Sequence, residues 1–454
     1  MTLHSPADHL HRLVKQAIDS GAADSLEAAQ ALFAGYRLTL SIGADEARQS
    51  DHQSALLTAV ALSRRIFLGG VTVQGPLDVP LMLDLPLGGT LEQAVRQLGG
   101  RPGAGQDDAP KIGIGGARTP RSGAVHLRTC WWDWRGGTAP AYADVPPNSA
   151  AMPLAPMLAA ALAVSEAFFH VRGGAPVAGR RTIGLSLWSP GEHEWLDPAV
   201  GGPPLERLPA SLWLIGLGHL GQAYLWALSL LPYARPDELQ LVLQDVDEIT
   251  PSTESTSVLT NASMVGRRKT RTMAQWAENR GFAARILERY FDAGFRRRDD
   301  EPSVALCGLD NALGRRALDK VGFEFIVEAG LGRGHRDFHT LRLHTLPAQR
   351  SADDIWKLGG EGEDVSDRPG YRKLLADGTL DQCGVTLLAG KAVGAPFVGA
   401  AAACLAIAEL LRLLHQGPIH QLIDLDLLAV GHQAGVLQVR DFSAFNPGFT
   451  AIRT

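Results

Sequence analysis

The stretch Ser211-Leu212-Trp213-Leu214-Ile215-Gly216-Leu217-Gly218-His219-Leu220-Gly221 decides the fold. Its first five residues suit a buried strand, and the loop that follows contains three glycines. Residues 222–231 have the apolar pattern of a helix, and residues 239–244 that of a second strand. A strand, a glycine loop, a helix and a strand in this order indicate a βαβ unit and therefore a parallel sheet.

The first part of the chain has the same alternation. Strand patterns at residues 37–42 and 66–73 flank a helix pattern at residues 53–65. Two Ala-rich segments, residues 155–166 and 395–409, resemble each other, and each precedes a predicted strand. Buried Ala-rich helices can resemble each other by composition alone, but the shared order favours an internal repeat. The sequence therefore predicts an α/β fold in which two Rossmann-like halves form a pseudo-dimer.

The two halves are expected to differ in function. The segment Gly201-Gly202-Pro203-Pro204 is the clearest linker, so we predict domains of residues 1–200 and 201–454. The first loop reads Ile42-Gly43-Ala44-Asp45-Glu46-Ala47, and its acidic side chains would repel a phosphate. We therefore expect a degenerate, inactive first half and a nucleotide site in the second half.

Composition narrows the class of protein. The 454 residues are 45% apolar and 20% charged with a formal net charge of -5, which fits a soluble globular protein. The scattered basic residues give no broad surface for a nucleic-acid backbone. Met1 is followed by no signal segment, and the apolar runs are shorter than a membrane span. We expect a cytoplasmic protein that binds small molecules or proteins rather than nucleic acid or membrane.

The glycine loop alone does not choose between nucleotides. Gly216, Gly218 and Gly221 would let the backbone and the helix dipole approach a phosphate, whatever molecule carries it. Asp245, at the end of the next predicted strand, is where an NAD-dependent oxidoreductase of Rossmann type would hold the ribose. On these residues such an oxidoreductase stays open as an alternative.

Three later motifs favour ATP. Asp245-Val246-Asp247 places two carboxylates at a strand end, one suited to a ribose and one able to reach Mg²⁺. Gly266-Arg267-Arg268-Lys269 opens a predicted helix with cations that can neutralise phosphate. Leu309-Asp310-Asn311 ends another predicted strand and brings a further carboxylate. The carboxyl ends of parallel strands lie at one sheet edge, so we expect these motifs to converge.

In this order, the motifs resemble the superfamily of ubiquitin-activating enzymes that includes ThiF and MoeB, over about residues 208–415. The resemblance implies an ATP-dependent adenylyltransferase that activates the C-terminal carboxylate of a ubiquitin-like protein, with a conjugating enzyme as a further partner. It implies that Asp245 binds the ribose, Lys269 the phosphates, and Asp310, assisted by Asp247, the Mg²⁺ ion. The remaining predicted nucleotide-binding residues are Gly216, Gly218, Gly221 and Arg268, and Lys269 and Asp310 are also predicted to be catalytic. It leaves open a single pseudo-dimeric chain or a homodimer of such chains.

One departure from the family pattern affects the phosphate site. After Asp-x-Asp the family shows Ser-Asn-Leu-x-Arg, whereas this chain has Ser252-Thr253-Glu254-Ser255-Thr256, without the arginine. Either Arg267 or Arg268 replaces this arginine, or the site binds ATP weakly. By the same resemblance Arg12 or Lys15 is a candidate cation from the first half, although isolated helix charges usually lie in solvent. A catalytically weak scaffold that binds a ubiquitin-like protein stays open as a second alternative.

The four cysteines are too dispersed for a zinc site or a disulfide framework. Cys383 lies in the polar stretch Asp381-Gln382-Cys383-Gly384, within a predicted crossover segment of about residues 350–392. The resemblance implies a catalytic cysteine there that accepts the acyl group as a thioester, while an incidental thiol fits the sequence equally well. Cys307 and Cys404 are predicted to pack in the core.

Overall fold

The computed structural model describes residues 10–105, 107–116, 119, 124–357 and 364–453, and its two large sheets have the same strand order. The first sheet has seven strands in the order β3-β2-β1-β4-β5-β6-β7. Its strands are β1 (Arg37–Ile42), β2 (Gly70–Gln74), β3 (Arg101–Pro102), β4 (Lys111–Ile114), β5 (His126–Trp132), β6 (Arg135–Pro140) and β7 (Ile183–Ser186). The strands from β3 to β5 are parallel, and β6 and β7 continue the sheet in antiparallel fashion.

The second sheet has eight strands in the order β11-β10-β9-β12-β13-β14-β15-β16. Its strands are β9 (Ser211–Ile215), β10 (Gln240–Gln244), β11 (Ala283–Leu287), β12 (Val304–Cys307), β13 (Phe325–Leu331), β14 (Thr340–Leu346), β15 (His420–Asp426) and β16 (Ala434–Leu437). Five parallel strands are again followed by antiparallel ones. Two short strands, β8 (Arg207–Pro209) and β17 (Phe449–Ala451), form a separate ribbon. The predicted α/β class with two Rossmann-like halves is confirmed.

Thirteen α-helices of the described residues connect and cover the sheets. They are α1 (Lys15–Asp19), α2 (Leu26–Ala34), α3 (Ser50–Ser63), α4 (Leu91–Gln97), α5 (Leu154–Arg172), α6 (His219–Leu230), α7 (Pro251–Glu254), α8 (Lys269–Asn279), α9 (Ala312–Arg316), α10 (Ala352–Ile355), α11 (Pro369–Ala376), α12 (Gln382–Gly390) and α13 (Pro396–Leu414). Strand β9 has the predicted bounds, whereas helix α3 begins earlier and strand β2 later than the sequence suggests. Residues 358–363 of the predicted crossover segment lie outside the described residues.

One continuous core joins the two halves. Helices α3 and α5 of the first half pack against α6 and α13 of the second, and all four are rich in buried apolar residues. Trp226 Nε1 donates to Thr58 Oγ1 across this boundary at 3.0 Å, and Cys404 Sγ lies 3.6 Å from the carbonyl oxygen of Leu154. Helices α5 and α13 are long and apolar enough to cross a membrane, but 89% and 100% of their apolar windows are buried in the fold. They are core helices of this structure.

Candidate nucleotide site

A cavity of about 420 Å³ opens at the C-terminal edge of the parallel strands in the second sheet. Its wall brings together most of the predicted nucleotide-binding residues, namely Gly216, Gly218, Asp245, Asp247, Lys269 and Asp310. These residues come from the ends of β9, β10 and β12 and from the start of α8. The edge where ligands of open α/β sheets bind is therefore also where the sequence motifs meet.

The glycine turn gives each of its three glycines a different task. Gly216 has a φ of +83°, a conformation that favours glycine, and its N–H donates to the carbonyl oxygen of Gln244 at 2.9 Å. A Cβ atom at Gly218 would meet nothing within 4 Å, so the backbone there faces open space. A Cβ atom at Gly221 would lie 2.0 Å from the oxygen of Gly216, so helix α6 can approach the turn only without a side chain. The turn thus leaves room for a phosphate at the helix N-terminus.

Asp245, Asp247 and Lys269 form a connected group on one side of the turn. Asp245 accepts from the N–H of Leu217 at 2.6 Å and from the N–H of Asp247 at 2.8 Å. Lys269 Nζ lies 2.8 Å from Asp247 Oδ2 and 3.9 Å from Asp245 Oδ2. Two carboxylates therefore hold the lysine ammonium at the wall of the cavity that Gly218 also lines.

Asp310 follows strand β12 and is exposed to the cavity. Arg315 fixes the backbone beside it, since its Nε donates to the carbonyl oxygen of Leu309 at 3.0 Å and lies 2.8 Å from the buried carboxylate of Glu328. Asn311 caps helix α9 by accepting from the N–H of Gly314 at 2.7 Å. The described residues give the Asp310 carboxylate no hydrogen bond or ion pair, so a rigid strand end presents an available carboxylate.

A metal ion at this edge of the sheet would need oxygen atoms from a bound nucleotide and from water to complete its coordination. Among the residues that the structure describes, no group of three or more His, Cys, Asp or Glu side chains could hold a metal ion. Mg²⁺ is commonly held by one or two carboxylates together with phosphate and water oxygens. Asp310 and Asp247, both exposed in the same cavity, fit that requirement.

The first half contributes an arginine to the cavity. Arg12 lies in the wall, where its Nε donates to Ser252 Oγ at 2.6 Å and its Nη1 to the carbonyl oxygen of Ala392 at 3.0 Å. Lys15, the other candidate, is buried away from the wall, where its ammonium pairs with Asp19 and donates to the carbonyl oxygen of Ala389 at 3.1 Å. Of the two candidate cations, Arg12 is the one at the cavity.

Neither Arg267 nor Arg268 lines the nucleotide cavity. Arg268 Nη1 donates to the carbonyl oxygen of Val246, and its Nε lies 3.8 Å from Glu248 Oε1, on the outer side of the strand end. Arg267 faces a separate cavity. Sequence reasoning also passed over Arg333, an exposed arginine of the wall that follows Leu331-Gly332. Its position just past the strand β13 motif is the signal that could have found it.

His219, inside the glycine turn, is neutral at physiological pH. Burial lowers its pKa to about 4, and the nearby guanidinium groups of Arg12 and Arg65 act in the same direction. Its imidazole packs against helix α13 at Gly399, where a Cβ atom would lie only 2.4 Å from His219 Nε2. The ring thus joins the turn to the closing helix and adds no charge for a phosphate.

Cys383 is exposed on the first turn of helix α12, outside the wall of the cavity. Asp381 caps this helix by accepting from the N–H of Gly384 at 2.7 Å. The other three cysteines are buried, and burial raises the pKa to about 11 for Cys130 and to about 12 for Cys307, and also raises that of Cys404. Cys383 is therefore the thiol accessible to another protein.

Comparison with known proteins assigns the family. Residues 37–187 match the BilD N-terminal domain, and residues 208–417 match the BilD C-terminal domain. The bacterial E1-like protein BilD from Collimonas sp. (strain OK412) is 47% identical over 422 residues, which cover 92% of this chain and 91% of the relative.

Solved structures give a weaker likeness. A crystal structure of E. coli MccB has a TM-score of 0.35 and 14% identity, covering 52% of this chain and 64% of that chain. A structure of E. coli MccB with ATP has a TM-score of 0.33 and 16% identity, covering 52% of this chain and 65% of that chain. The similarity therefore extends over less than two thirds of those MccB chains. The family assignment rests on the near full-length relative: the chain belongs to the BilD family of bacterial E1-like proteins.

Proposed function

We propose that this protein uses Mg·ATP to adenylate the C-terminal carboxylate of a ubiquitin-like protein. One observation carries the proposal: the glycine turn, Asp245, Lys269 and Asp310 line a single cavity at the sheet edge. Membership of an E1-like family supports the same reaction class.

The proposed roles follow from charge and position. The amides of the turn around Gly218 and the N-terminus of helix α6 face the phosphates, and Asp245 accepts from the ribose. Lys269 and Arg12 offset the repulsion between the incoming carboxylate and the phosphate that it attacks. Bound Mg²⁺, held by Asp310 with help from Asp247, would neutralise phosphate charge. The attacking carboxylate is already ionised, so the reaction requires no general base.

Arg12 is our candidate for the missing phosphate-facing arginine. Ser252, its hydrogen-bond partner, opens the segment in which the ThiF-like pattern carries that arginine. The guanidinium of Arg12, from the first half, thus lies beside the segment of the second half in which the ThiF-like pattern has an arginine and this chain has none. The proposal gives the first half a direct part in the site, even though its own loop is degenerate.

The finer steps are also proposals. We propose that the thiolate of the exposed Cys383 attacks the acyl adenylate, forming a thioester and releasing AMP, and that a conjugating enzyme then receives the acyl group. We further propose that the two halves arose by internal duplication, with a boundary near residue 200, and that the protein acts in the cytoplasm. Their shared strand order supports the duplication.

The central test is ATP–pyrophosphate exchange, measured on the full chain with a panel of small ubiquitin-like proteins as candidate substrates. We expect exchange that depends on both Mg²⁺ and the C-terminal residue of the small protein. Asp310→Ala should abolish exchange, while an exposed arginine of the first half, changed in Arg48→Gln, should leave it intact. Absence of exchange in the unmodified protein, or full exchange in Asp310→Ala, would refute the proposal.

The two competing functions give different outcomes. A scaffold would bind the ubiquitin-like protein without exchange, and calorimetry of that binding would show it. An NAD-dependent oxidoreductase would bind NAD without Mg²⁺ and would not respond to the small protein. The carboxylate of Asp310 beside the cavity favours adenylation over a dehydrogenase, whose dinucleotide site has no need of a metal-binding carboxylate at this strand end.

A further inference from the structure

A second cavity, of about 300 Å³, lies between the two halves. The first half supplies the residues that follow helix α3 and residues just before and at the end of α4, and the second half supplies residues between 258 and 279. The wall includes the apolar side chains of Leu87, Leu98, Val258 and Leu259, all buried. This cavity and the nucleotide cavity share no lining residue, so it is a separate site.

The charge of this cavity is one-sided. Arg64, Arg65 and Arg267 lie in its wall, and the described lining residues include no Asp or Glu. Glu254, behind the wall, partly offsets them, because Arg64 Nη2 lies 2.5 Å from its Oε1. The wall therefore carries an excess of positive charge.

The three arginines differ in how many hydrogen bonds and ion pairs their side chains make within the protein. Arg65 is buried, and its guanidinium donates to the carbonyl oxygens of Glu254 at 3.0 Å and Thr260 at 2.6 Å. Arg64 shares the oxygen of Thr260 and pairs with Glu254. Arg267 is exposed, and the described residues give its side chain no hydrogen bond or ion pair. It can therefore turn its five N–H groups toward a ligand without breaking a contact.

We propose that this cavity binds a small organic anion with an apolar body, such as an aryl phosphate or an aryl carboxylate. The buried leucines and Val258 would take the apolar body, while Arg267 at the rim would take the anion, with Arg64 beside it. A volume of about 300 Å³ suits a ligand of one ring and one charged group, at the small end of ligand pockets. The proposal is independent of the adenylation reaction.

The probe for the test is 4-fluorophenyl phosphate, titrated into the full chain and followed by fluorine NMR at low salt. We expect saturable binding, with inorganic phosphate at least about tenfold weaker because it leaves the apolar wall unused. Arg267→Gln should weaken binding of the probe by about tenfold, the loss expected for one charge-assisted contact. Met264→Trp, which places a larger side chain in the wall, should block binding.

Two controls locate the probe. Arg48→Gln removes an arginine that is also exposed but lies on the first half, outside this cavity, and should leave the affinity unchanged. Lys269→Ala alters only the nucleotide cavity and should also leave it unchanged. If Lys269→Ala abolishes binding while Arg267→Gln and Met264→Trp do not, the probe occupies the nucleotide cavity and the proposed site is overturned. Equal affinity for the probe and for inorganic phosphate would overturn it as well.

Discussion

The two halves have the same strand order but opposite arrangements at the first turn of the sheet. In the second half a Cβ atom at Gly218 would meet open space, whereas in the first half a Cβ atom at Gly43 would lie 2.1 Å from Glu46 Oε2. A carboxylate therefore covers the glycine that would have to face a phosphate. An acidic side chain over the turn repels a phosphate, so two turns within the same fold can differ in whether they suit a nucleotide.

The two halves also differ in the residues that follow their parallel strands, since only the second half has carboxylates at the cavity there. Strand β10 continues into Asp245, and β12 is followed by Asp310, both at the cavity. The matching ends in the first half continue into Gly75-Pro76 and Gly115-Gly116, without a carboxylate. The first half instead contributes its helices to the shared core and Arg12 to the wall of the cavity.

One buried feature is common to both halves. The long helices α5 and α13 each bury a glutamate, and each glutamate accepts a backbone N–H from the segment after its helix: Glu166 from Gly179 at 2.8 Å, Glu409 from His420 at 3.2 Å. The partners differ in exposure, since Arg412 is fully buried beside Glu409 and the side chain of Arg181 is 23% exposed beside Glu166. The comparison can therefore be tested through stability as well as through activity.

The largest effect is expected from Arg412→Ala. Its removal leaves the Glu409 carboxylate buried without its arginine, and breaking such a pair costs about 3–5 kcal/mol of the free energy of unfolding. Arg181→Ala should cost less, about 1–3 kcal/mol, because the Arg181 side chain is partly exposed and its loss opens the buried Glu166 to water. Urea unfolding of both variants measures the difference. A larger loss for Arg181→Ala would contradict the ranking.

The next effect should come from Gly218→Glu, which copies the carboxylate of the first half into the second. The position has a negative φ of −83° and open space, so the fold should persist while a negative charge occupies the phosphate position. We expect ATP affinity, measured by calorimetry, to fall at least about 100-fold, which corresponds to about 2.7 kcal/mol.

The matched change for that experiment is Glu46→Gln in the first half. It removes the carboxylate over Gly43 but supplies neither the glycine turn nor the acidic strand ends. ATP affinity should therefore stay within twofold of that of the unmodified protein, a difference of about 0.4 kcal/mol in binding free energy. Unchanged affinity in Gly218→Glu would show that the phosphates bind elsewhere.

Much of the fold and of the site was predictable because local patterns agreed with the global structure. Strand β9 has the bounds that the sequence predicts, since a five-residue apolar run that ends in a glycine turn has the length of a strand and is too short for a helix. The cavity residues Asp245 and Asp310 were found from strand ends, because parallel strands share one carboxyl edge. Topology, once inferred, brings such residues together without any side-chain information.

Which individual Lys or Arg side chain reaches the cavity was not predictable in the same way. Arg12 and Lys15 both look like solvated charges in the sequence, yet the structure buries Lys15 with Asp19 and places Arg12 at the cavity. Periodicity shows that a segment is helical but not which surface will cover it. The role of Arg12 depends on contacts with Ser252 and Ala392, which are hundreds of residues away in the chain.

A smaller effect is expected from Arg12→Gln. This change removes the charge that the first half lends to the second but keeps a side chain able to bond Ser252. Exchange of pyrophosphate should fall by about 10- to 30-fold, roughly 1.4–2 kcal/mol, the scale of one charge-assisted contact. Arg12→Lys should recover part of the rate, because it restores charge without the planar guanidinium. Equal rates for the two variants would mean that Arg12 acts only by packing.

The last comparison sets Arg268→Gln, where a small effect on pyrophosphate exchange is expected, against Lys269→Gln at the neighbouring position. Arg268 is the N-cap of helix α8, and its side chain contacts Val246 and Glu248, whereas Lys269, the first residue of the helix, lines the cavity. Sequence alone cannot assign the two directions, because a basic run at a helix start offers either residue to a phosphate.

We expect Arg268→Gln to change pyrophosphate exchange by less than about threefold, or roughly 0.7 kcal/mol, since its contacts with Val246 and Glu248 lie outside the cavity. Lys269→Gln should lose at least about 100-fold, because it leaves Asp245 and Asp247 facing the phosphates without their shared cation. Comparable losses in the two variants would mean that Arg268 swings inward when nucleotide binds. In that case Arg268, from the second half itself, would replace the missing phosphate-facing arginine. Arg12 and the rest of the first half would then have a purely structural role.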